Sequence, residues 1–406
     1  MTAGTAAGPS RWWIVLGCTV GLIFSTGPLV QFSFGVFVKP VAEALHTSRA
    51  QVSLALFLAL ALTGLLTPLA GRLVDRFGVR RFGVPTIVLF ALSFAMIGLA
   101  STSIGTFMAC YALLGIFGAG QTPLIYAKAV ASAFDARRGL ALGFAMAGVG
   151  VGTAVVPAAA QHLISALGWR TAYVVLGAAT LGIATPSVAL LLREPRGARA
   201  AIARVMHTHG LTGTEALRSS VFWKLMAAFF MVAVASSGVM AHIVPMLTDR
   251  GVPATTATLA VSAGGVALIA GRLVAGYALD LLFAPYVALF FFAMPLLGIA
   301  IILATVATGY SVGAAILVGL GLGAEVDLIA YLQSRYLGLC SFGEIYSYFL
   351  ALFLIGSGLG PFVMGVSYAH GGYSRALVVF AIGLLAACAS MLSLPAYVFG
   401  HHAAEE

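Results

Sequence analysis

The chain has 406 residues, 61% of them hydrophobic and only 8% charged, with a mean hydropathy of +1.06. A water-soluble domain carries about 25% charged residues, so this composition excludes an ordinary soluble fold and places the chain in a bilayer. The formal net charge of +9 sits mostly in short loops, where it orients a membrane protein rather than marking a nucleic-acid partner.

Twelve apolar runs of about 20 residues or more, separated by turn or charge clusters, predict transmembrane helices. They cover approximately 12–38, 50–73, 83–102, 105–131, 139–165, 169–192, 221–247, 254–280, 284–306, 309–333, 341–368 and 373–398. The first run, Trp12–Val38, is too long for the apolar core of a signal peptide and is expected to stay as a span. The longest polar interruption, Arg193–Ser220, holds Arg193, Arg196, Arg199, Arg204 and Arg218 together with Pro195. It divides the spans six and six. The expected organisation is therefore an all-α membrane protein: an N-terminal six-helix bundle in residues 1–192, a linker in 193–220 and a C-terminal six-helix bundle in 221–406.

Lysine and arginine set the orientation. Arg11, Arg76, Arg80, Arg81, Arg137, Arg138, the linker arginines, Lys224 and Arg335 fall on one side, and Lys39, Arg49, Arg170, Arg250 and Arg375 on the other. That is a roughly threefold bias, which puts both termini in the cytoplasm. The expected location is the inner membrane. The cysteines Cys18, Cys110, Cys340 and Cys388 fall in apolar segments without metal-ligand or disulfide spacing and read as small core residues.

Between the second and third spans stands Gly71-Arg-Leu-Val-Asp-Arg-Phe-Gly-Val-Arg-Arg81. Gly71 lets helices approach closely, Asp75 suits the N–H groups of a neighbouring helix start, and Arg76, Arg80 and Arg81 hold the loop on the basic side. Gly78 belongs to the same pattern. The motif has an echo half a chain later, Gly276-Tyr-Ala-Leu-Asp280, after the eighth span. A second echo pairs Gly118–Tyr126 in the fourth span with Gly321–Tyr331 in the tenth. Internal duplication with a midplane site between the halves is the logic of secondary transporters.

At Gly71–Arg81 the chain resembles the major facilitator superfamily, whose loop after the second span reads G-x-x-x-D-R-x-G-x-R-R. The resemblance implies two pseudo-symmetric six-helix bundles rocking about a central site. The fifth span starts Phe134-Asp-Ala-Arg-Arg-Gly-Leu-Ala-Leu-Gly-Phe-Ala-Met-Ala-Gly148. Its Gly139, Gly143 and Ala147, and then Gly148 and Gly152, are spaced for backbone-to-backbone helix contact. This stretch resembles the monocarboxylate porter and oxalate:formate antiporter-like branch. Ala136 replaces a basic residue of the eukaryotic pattern, and the acidic first-span motif of those porters is absent.

Arg272 stands deep in the eighth span, in Ala263–Asp280. An arginine there costs roughly 2.5–3.5 kcal/mol or more to insert and faces a protein interior or a water-filled cavity. The plain alternative is a structural charge paired with an acid on a neighbouring helix. Arg272 falls where the branch carries a functional arginine, which implies a role in binding the substrate carboxylate. A guanidinium suits that role because its planar fork matches a carboxylate and stays charged. Four residues earlier, where the eukaryotic porters have a proton-coupling aspartate, this chain has Leu268. The eleventh span lacks the second cation of the oxalate type, so a monocarboxylate is expected over a dicarboxylate.

Other groups complete the candidate set. His242, Glu325, Asp327 and Lys128 are candidates for proton coupling or gating. Asp327, Tyr331 and Arg335 share a helix face, so the acids can pair across the basic side, neutralise Arg272 or take a proton; Lys128 can simply snorkel. Gln31, Gln121, Tyr126, Tyr331, Tyr346 and Ser357 are neutral candidates for lining the substrate path, with His242 also a candidate for binding substrate. The expected function is secondary transport of a small organic monocarboxylate, by proton symport or anion exchange. The expected partners are that anion, protons and the lipid bilayer, with no nucleic acid; a functional monomer is expected, with no cofactor and no metal. Efflux of a drug-like solute asks for a buried acid and an apolar cavity. A non-transporting anion sensor asks for signalling segments that the short tails do not show. No metal cluster, nucleophile elbow or phosphate loop suggests an enzyme.

Overall fold

The computed structural model describes residues 12–134, 138–192, 210–304, 308–338 and 340–397. Most of the linker (193–209), Arg11, Asp135–Arg137 and the side chains of Asp75, Arg138 and Asp280 lie outside the described set. The capping role expected of Asp75 and the place of Asp280 in the repeated motif therefore also lie outside it.

The chain is built almost wholly of apolar helices. The helix α1 runs Trp12–Ile23, passes through a π-helical turn at Gly27–Phe32 and continues as Phe34–Ala44. The helices α2 (Arg49–Phe77) and α3 (Val79–Ala100) follow. Next, α4 runs Ile104–Gly118, breaks in a 3₁₀ turn at Ala119–Gln121 and resumes as Pro123–Ala133. The stretch Arg138–Ala179 is two helices, α5 and α6, divided at Gly168 with φ 81°; α6 then bends through Thr180–Ala184 and ends at Thr185–Leu191. The second half comprises α7 (Ser220–Asp249), α8 (Ala254–Leu281), α9 (Ala284–Ala304), α10 (Thr308–Tyr336), α11 (Phe342–Ala369) and α12 (Ser374–Leu392).

Among the described residues, eleven helical stretches are long and apolar enough to cross a membrane, one of them the 51-residue Ala141–Leu191. With that stretch turning at Gly168, the expected twelve spans are present. Glycine is required at the turn because a side chain is strained at positive φ. Gly78 does the same work between α2 and α3: it has φ 92° and is the single residue separating the two helices. Arg76, Arg80 and Arg81 are exposed there and mark what is called here the basic end of the molecule. Cys18 and Cys110 are buried and Cys388 is half-buried, as core residues should be, but Cys340 is exposed in the turn after α10. It falls in the short gap between the tenth and eleventh runs, after Gln333, Ser334 and Arg335 have already ended the apolar stretch of α10, so the core reading is corrected for it.

Within the linker, Gly213–Arg218 forms a short helix. Thr212 and Glu215 close a capping box at its start, and the Thr212 backbone N–H and hydroxyl hold the exposed Glu215 carboxylate below its usual range. Leu211 N–H donates to Leu337 O at 2.8 Å, which ties this segment to the end of α10.

Helices of the two halves meet along three seams: α1 against α7, α2 against α11, and α5 against α8. Small residues set the distance, since water-driven burial gives way to close packing inside lipid. On the second seam, a methyl group added at Gly365 would lie 2.8 Å from Ala50 Cα, one at Gly358 2.8 Å from Phe57 Cα, and one at Gly64 2.7 Å from Ala351 O. On the third, a methyl at Gly265 would lie 2.6 Å from Ala154 N. On the first, Gly35 packs directly on Ala241 O.

The same stripes part toward the basic end. Residues 50, 57, 64 and 71 share one face of α2 by their sevenfold spacing, yet nothing among the described residues lies within 4 Å of a methyl placed at Gly71. Gly143 on α5 and Gly276 on α8 likewise face open space. The expectation that Gly71 makes a close helix contact is therefore corrected for this conformation. Gly148 and Gly152, in contrast, press against α1 at Thr19 and at Ile23 and Pro28.

Candidate substrate-binding site

Two broken helices shape the middle of the molecule. A π-helical turn inserts an extra residue and tends to occur where a side chain has to be re-aimed. In α1 this turn carries Gln31, whose Nε2 donates to Ser237 Oγ of α7 at 2.9 Å. The bond is buried and joins the two halves. The break in α4 lies beside it: Thr26 Oγ1 donates to Gly118 O at 3.2 Å.

Arg272 sits where the α5–α8 seam ends and the opening begins. Toward one end of it Ile269 packs on Gly150, and toward the other Gly276 has no neighbour. Its Nε lies 2.9 Å from Asp327 Oδ2 on α10. The contact is an ion pair without an aligned hydrogen bond, since the Nε–H points aside. Arg272 Nη1 also reaches Met146 O of α5, at a long 3.5 Å. The arginine side chain is 13% exposed and that of Asp327 37% exposed, so the carboxylate lies on the open side of the pair. Tyr346 on α11 is within electrostatic reach of both charges and stacks on Phe342 with centroids 5.8 Å apart.

Of the roles expected for Asp327, the structure shows the neutralising of Arg272; among the described residues neither Asp327 nor Glu325 pairs with a cation of the other half. Asp327 meets Arg272 within its own half, while Glu325 is fully buried, with Ser236 of α7 as its nearest polar neighbour and no well-formed hydrogen bond. The two acids are only two residues apart on α10 and so point to different faces of it. Gln121 and Tyr126 are 1% and 2% exposed and serve each other. Tyr126 Oη donates to Gln121 Oε1 at 2.7 Å, and Gln121 Nε2 donates to Thr86 Oγ1 at 3.2 Å. They brace the N-terminal half rather than line the path. Tyr331 is half-buried, and its hydroxyl accepts from Arg335 Nη2 at 3.1 Å, one turn further toward the basic end. Ser357 is fully buried in α11 between Gly356, close to α7, and Gly358, close to α2. Lys128 is half-buried in the second part of α4.

His242 is fully buried in α7, and neither ring nitrogen has a well-formed hydrogen bond; its nearest backbone partner is Gly238, one turn earlier. Its ring meets Tyr373 edge-on, with centroids 5.8 Å apart. Above it lies a charged cluster that the sequence reading passed over. Asp249, at the end of α7, takes Arg49 Nη1 on Oδ2 at 2.5 Å and Arg49 Nη2 on Oδ1 at 2.9 Å. Lys39 Nζ is 2.6 Å from the same Oδ1. Arg49 Nη1 also donates to Tyr373 Oη at 2.6 Å, and its guanidinium lies 3.9 Å above the Tyr368 ring centroid. Lys39 and Arg49 belong to the first half, and Asp249, Tyr368 and Tyr373 to the second. The cluster therefore clamps the end opposite the basic loops. The sequence did hold a signal: Lys39 and Arg49 offend the positive-inside pattern and have Asp249 within the same set of loops.

Twelve apolar helices in two halves, seamed at one end and parted at the other around an ion pair deep in the spans, define a polytopic membrane carrier. Sequence comparison gives the family: the profile described as Major Facilitator Superfamily matches residues 15–339, and the chain belongs to that family of transporters. It is 29% identical over 259 residues to the oxalate:formate antiporter of Oxalobacter formigenes, which covers 62% of this chain and 59% of that one. It is 28% identical over 289 residues to monocarboxylate transporter 11 of Homo sapiens, covering 68% of this chain and 58% of that one. The chain thus spans less than two thirds of either relative. A bacterial homologue of the human lysosomal transporter Spinster, solved in an inward-facing and occupied conformation, superposes with a TM-score of 0.72 over 95% of this chain and 97% of that one, at 19% identity. That likeness shows a common fold.

Proposed function

We propose that the protein carries a small organic monocarboxylate across the cytoplasmic (inner) membrane by alternating access, with Arg272 as the group that takes the carboxylate. The observation that carries this reading is the position of Arg272 at the point where the halves part, opposed by one acid that lies on the open side. The shortest Asp327 contact falls on Nε, while Nη1 reaches only a long backbone bond to Met146 O. A substrate carboxylate can meet the Nη edge or displace Asp327. The names of the antiporter and monocarboxylate relatives agree with such a substrate.

The basic end faces the cytoplasm by the positive-inside bias, so the structure is an inward-open form and the Arg49–Asp249 clamp closes the outer end. Movement is by proton symport or anion exchange. Asp327, Glu325 and His242 are the ionisable groups through which protons would couple, Asp327 most directly because a proton there weakens its hold on Arg272.

Uptake into proteoliposomes tests this. Formate, lactate, pyruvate, benzoate and oxalate are compared with organic cations, with and without a pH gradient. At least one monocarboxylate is expected to be taken up, and Arg272→Ala and Arg272→Lys are expected to lose that uptake by about a hundredfold while remaining inserted. Uptake of cations alone would replace this reading with efflux of drug-like solutes. Retained uptake in Arg272→Lys would reduce the fork to a point charge.

A further inference from the structure

The outer clamp has the chemistry of a binding site as well as that of a latch. Asp249 presents both carboxylate oxygens to one guanidinium in the fork-to-fork geometry that arginine uses for carboxylate ligands. The Lys39 ammonium lies on the same oxygen that receives Arg49 Nη2, and the Tyr373 hydroxyl shares Arg49 Nη1. Two cations thus surround one acid. Arg250 and Arg375 are exposed on the same end, against one further acid, the exposed Glu43. The mouth is electropositive, which concentrates anions.

The division between the halves runs through this cluster. When the outer end opens, Asp249, Tyr368 and Tyr373 leave with one half, and Lys39 and Arg49 are left with the other. Two cations bared toward water at a mouth that must admit an anion are then available to take a carboxylate in place of the one withdrawn. Beneath them His242 supplies a buried ring without a well-formed hydrogen bond.

We propose that Lys39 and Arg49 form an outer station for the substrate carboxylate, and that Asp249 occupies it as an internal surrogate when the outer end is shut. This rests on the carboxylate reading above. Substrate outside and Asp249 then compete for the same fork: external carboxylate holds the outer end open until it passes inward, and Asp249 closes the end behind it.

The competition gives a signed test in proteoliposomes, with formate, lactate, pyruvate and benzoate as probes added from the outer side. Asp249→Asn removes the competitor and leaves the station, so external KM is expected to fall about threefold or more. Arg49→Gln/Asp249→Asn removes the station as well, and external KM is expected to rise about tenfold above the unaltered protein. A latch without a station behaves otherwise: both variants loosen the outer end, and both lower external KM. A fall in the double variant therefore overturns the proposal. Lys39→Gln/Asp249→Asn keeps Arg49 and is expected to raise KM in the same direction, which serves if the first double variant is not inserted. If the unaltered protein moves none of the four acids, the carboxylate reading itself has failed. If it moves one and the double variants bind it more tightly from outside, only the station has failed.

Discussion

The two ends of the same helices behave differently, although their sequences are built alike. On α2, residues 50, 57 and 64 are pressed against α11, while a methyl at Gly71 on the same face meets nothing among the described residues. On α8, Gly265 is pressed against α5, while a methyl at Gly276 meets nothing among them. At one end ions of opposite sign join the halves; at the other Asp327 and Arg272 pair inside one half. Small residues on a helix stripe thus give permission for contact, and the conformational state decides where it is used. Gly71 and Gly276 occupy matching places in the repeat, so the contacts that close the basic end are expected along those two stripes.

The comparison is broken most severely by filling the closed seam. Gly365→Leu puts a large side chain where a methyl already comes within 2.8 Å of Ala50 Cα. The outer end is then held apart, and transport is expected to fall more than tenfold, with loss of cross-linking between cysteines placed at 39 and 249. Cross-linking that persists would mean that the seam can shift to accept the side chain.

Filling the open stripes is subtler. A methyl at Gly71 or Gly276 meets no described residue within 4 Å in this conformation, so Gly71→Leu and Gly276→Leu are expected to leave the melting temperature largely unchanged. Transport is still expected to fall severalfold, because the state closed at the basic end needs those positions small. Full transport in both variants would show that the basic end closes along other faces. The smallest effect is expected inside one half. Tyr126→Phe removes the bond to Gln121 and is expected to cost about 1 kcal/mol of stability, with substrate KM unaltered. A change in KM would return these two residues to the substrate path.

What the sequence revealed and what it hid divide along the same physical line. Spans, the break near Gly168, the repeat and the depth of Arg272 are written in hydropathy and spacing, which lipid enforces residue by residue. The partner of Arg272 was legible only as a choice among acids, because Glu325 and Asp327 are neighbours in sequence and α10 sends them to different faces. Gln121 and Tyr126 looked like path-lining groups because an amide and a phenol in a span must find partners. That they find each other depends on the 3₁₀ turn in α4. The outer clamp was hidden for another reason: Lys39, Arg49 and Asp249 lie at helix ends, where charge is ordinary, and only the approach of two halves turns them into one cluster.

The central claim, that Arg272 takes the substrate carboxylate in place of Asp327, is tested most directly by equilibrium binding of a labelled transported monocarboxylate to purified Asp327→Asn and Arg272→Gln/Asp327→Asn proteins. The single variant is expected to bind about threefold or more tightly than the unaltered protein, because an internal competitor is gone. The double variant is expected to show no saturable binding. Equal affinity in all three proteins would contradict the account and leave the pair a structural ion bridge.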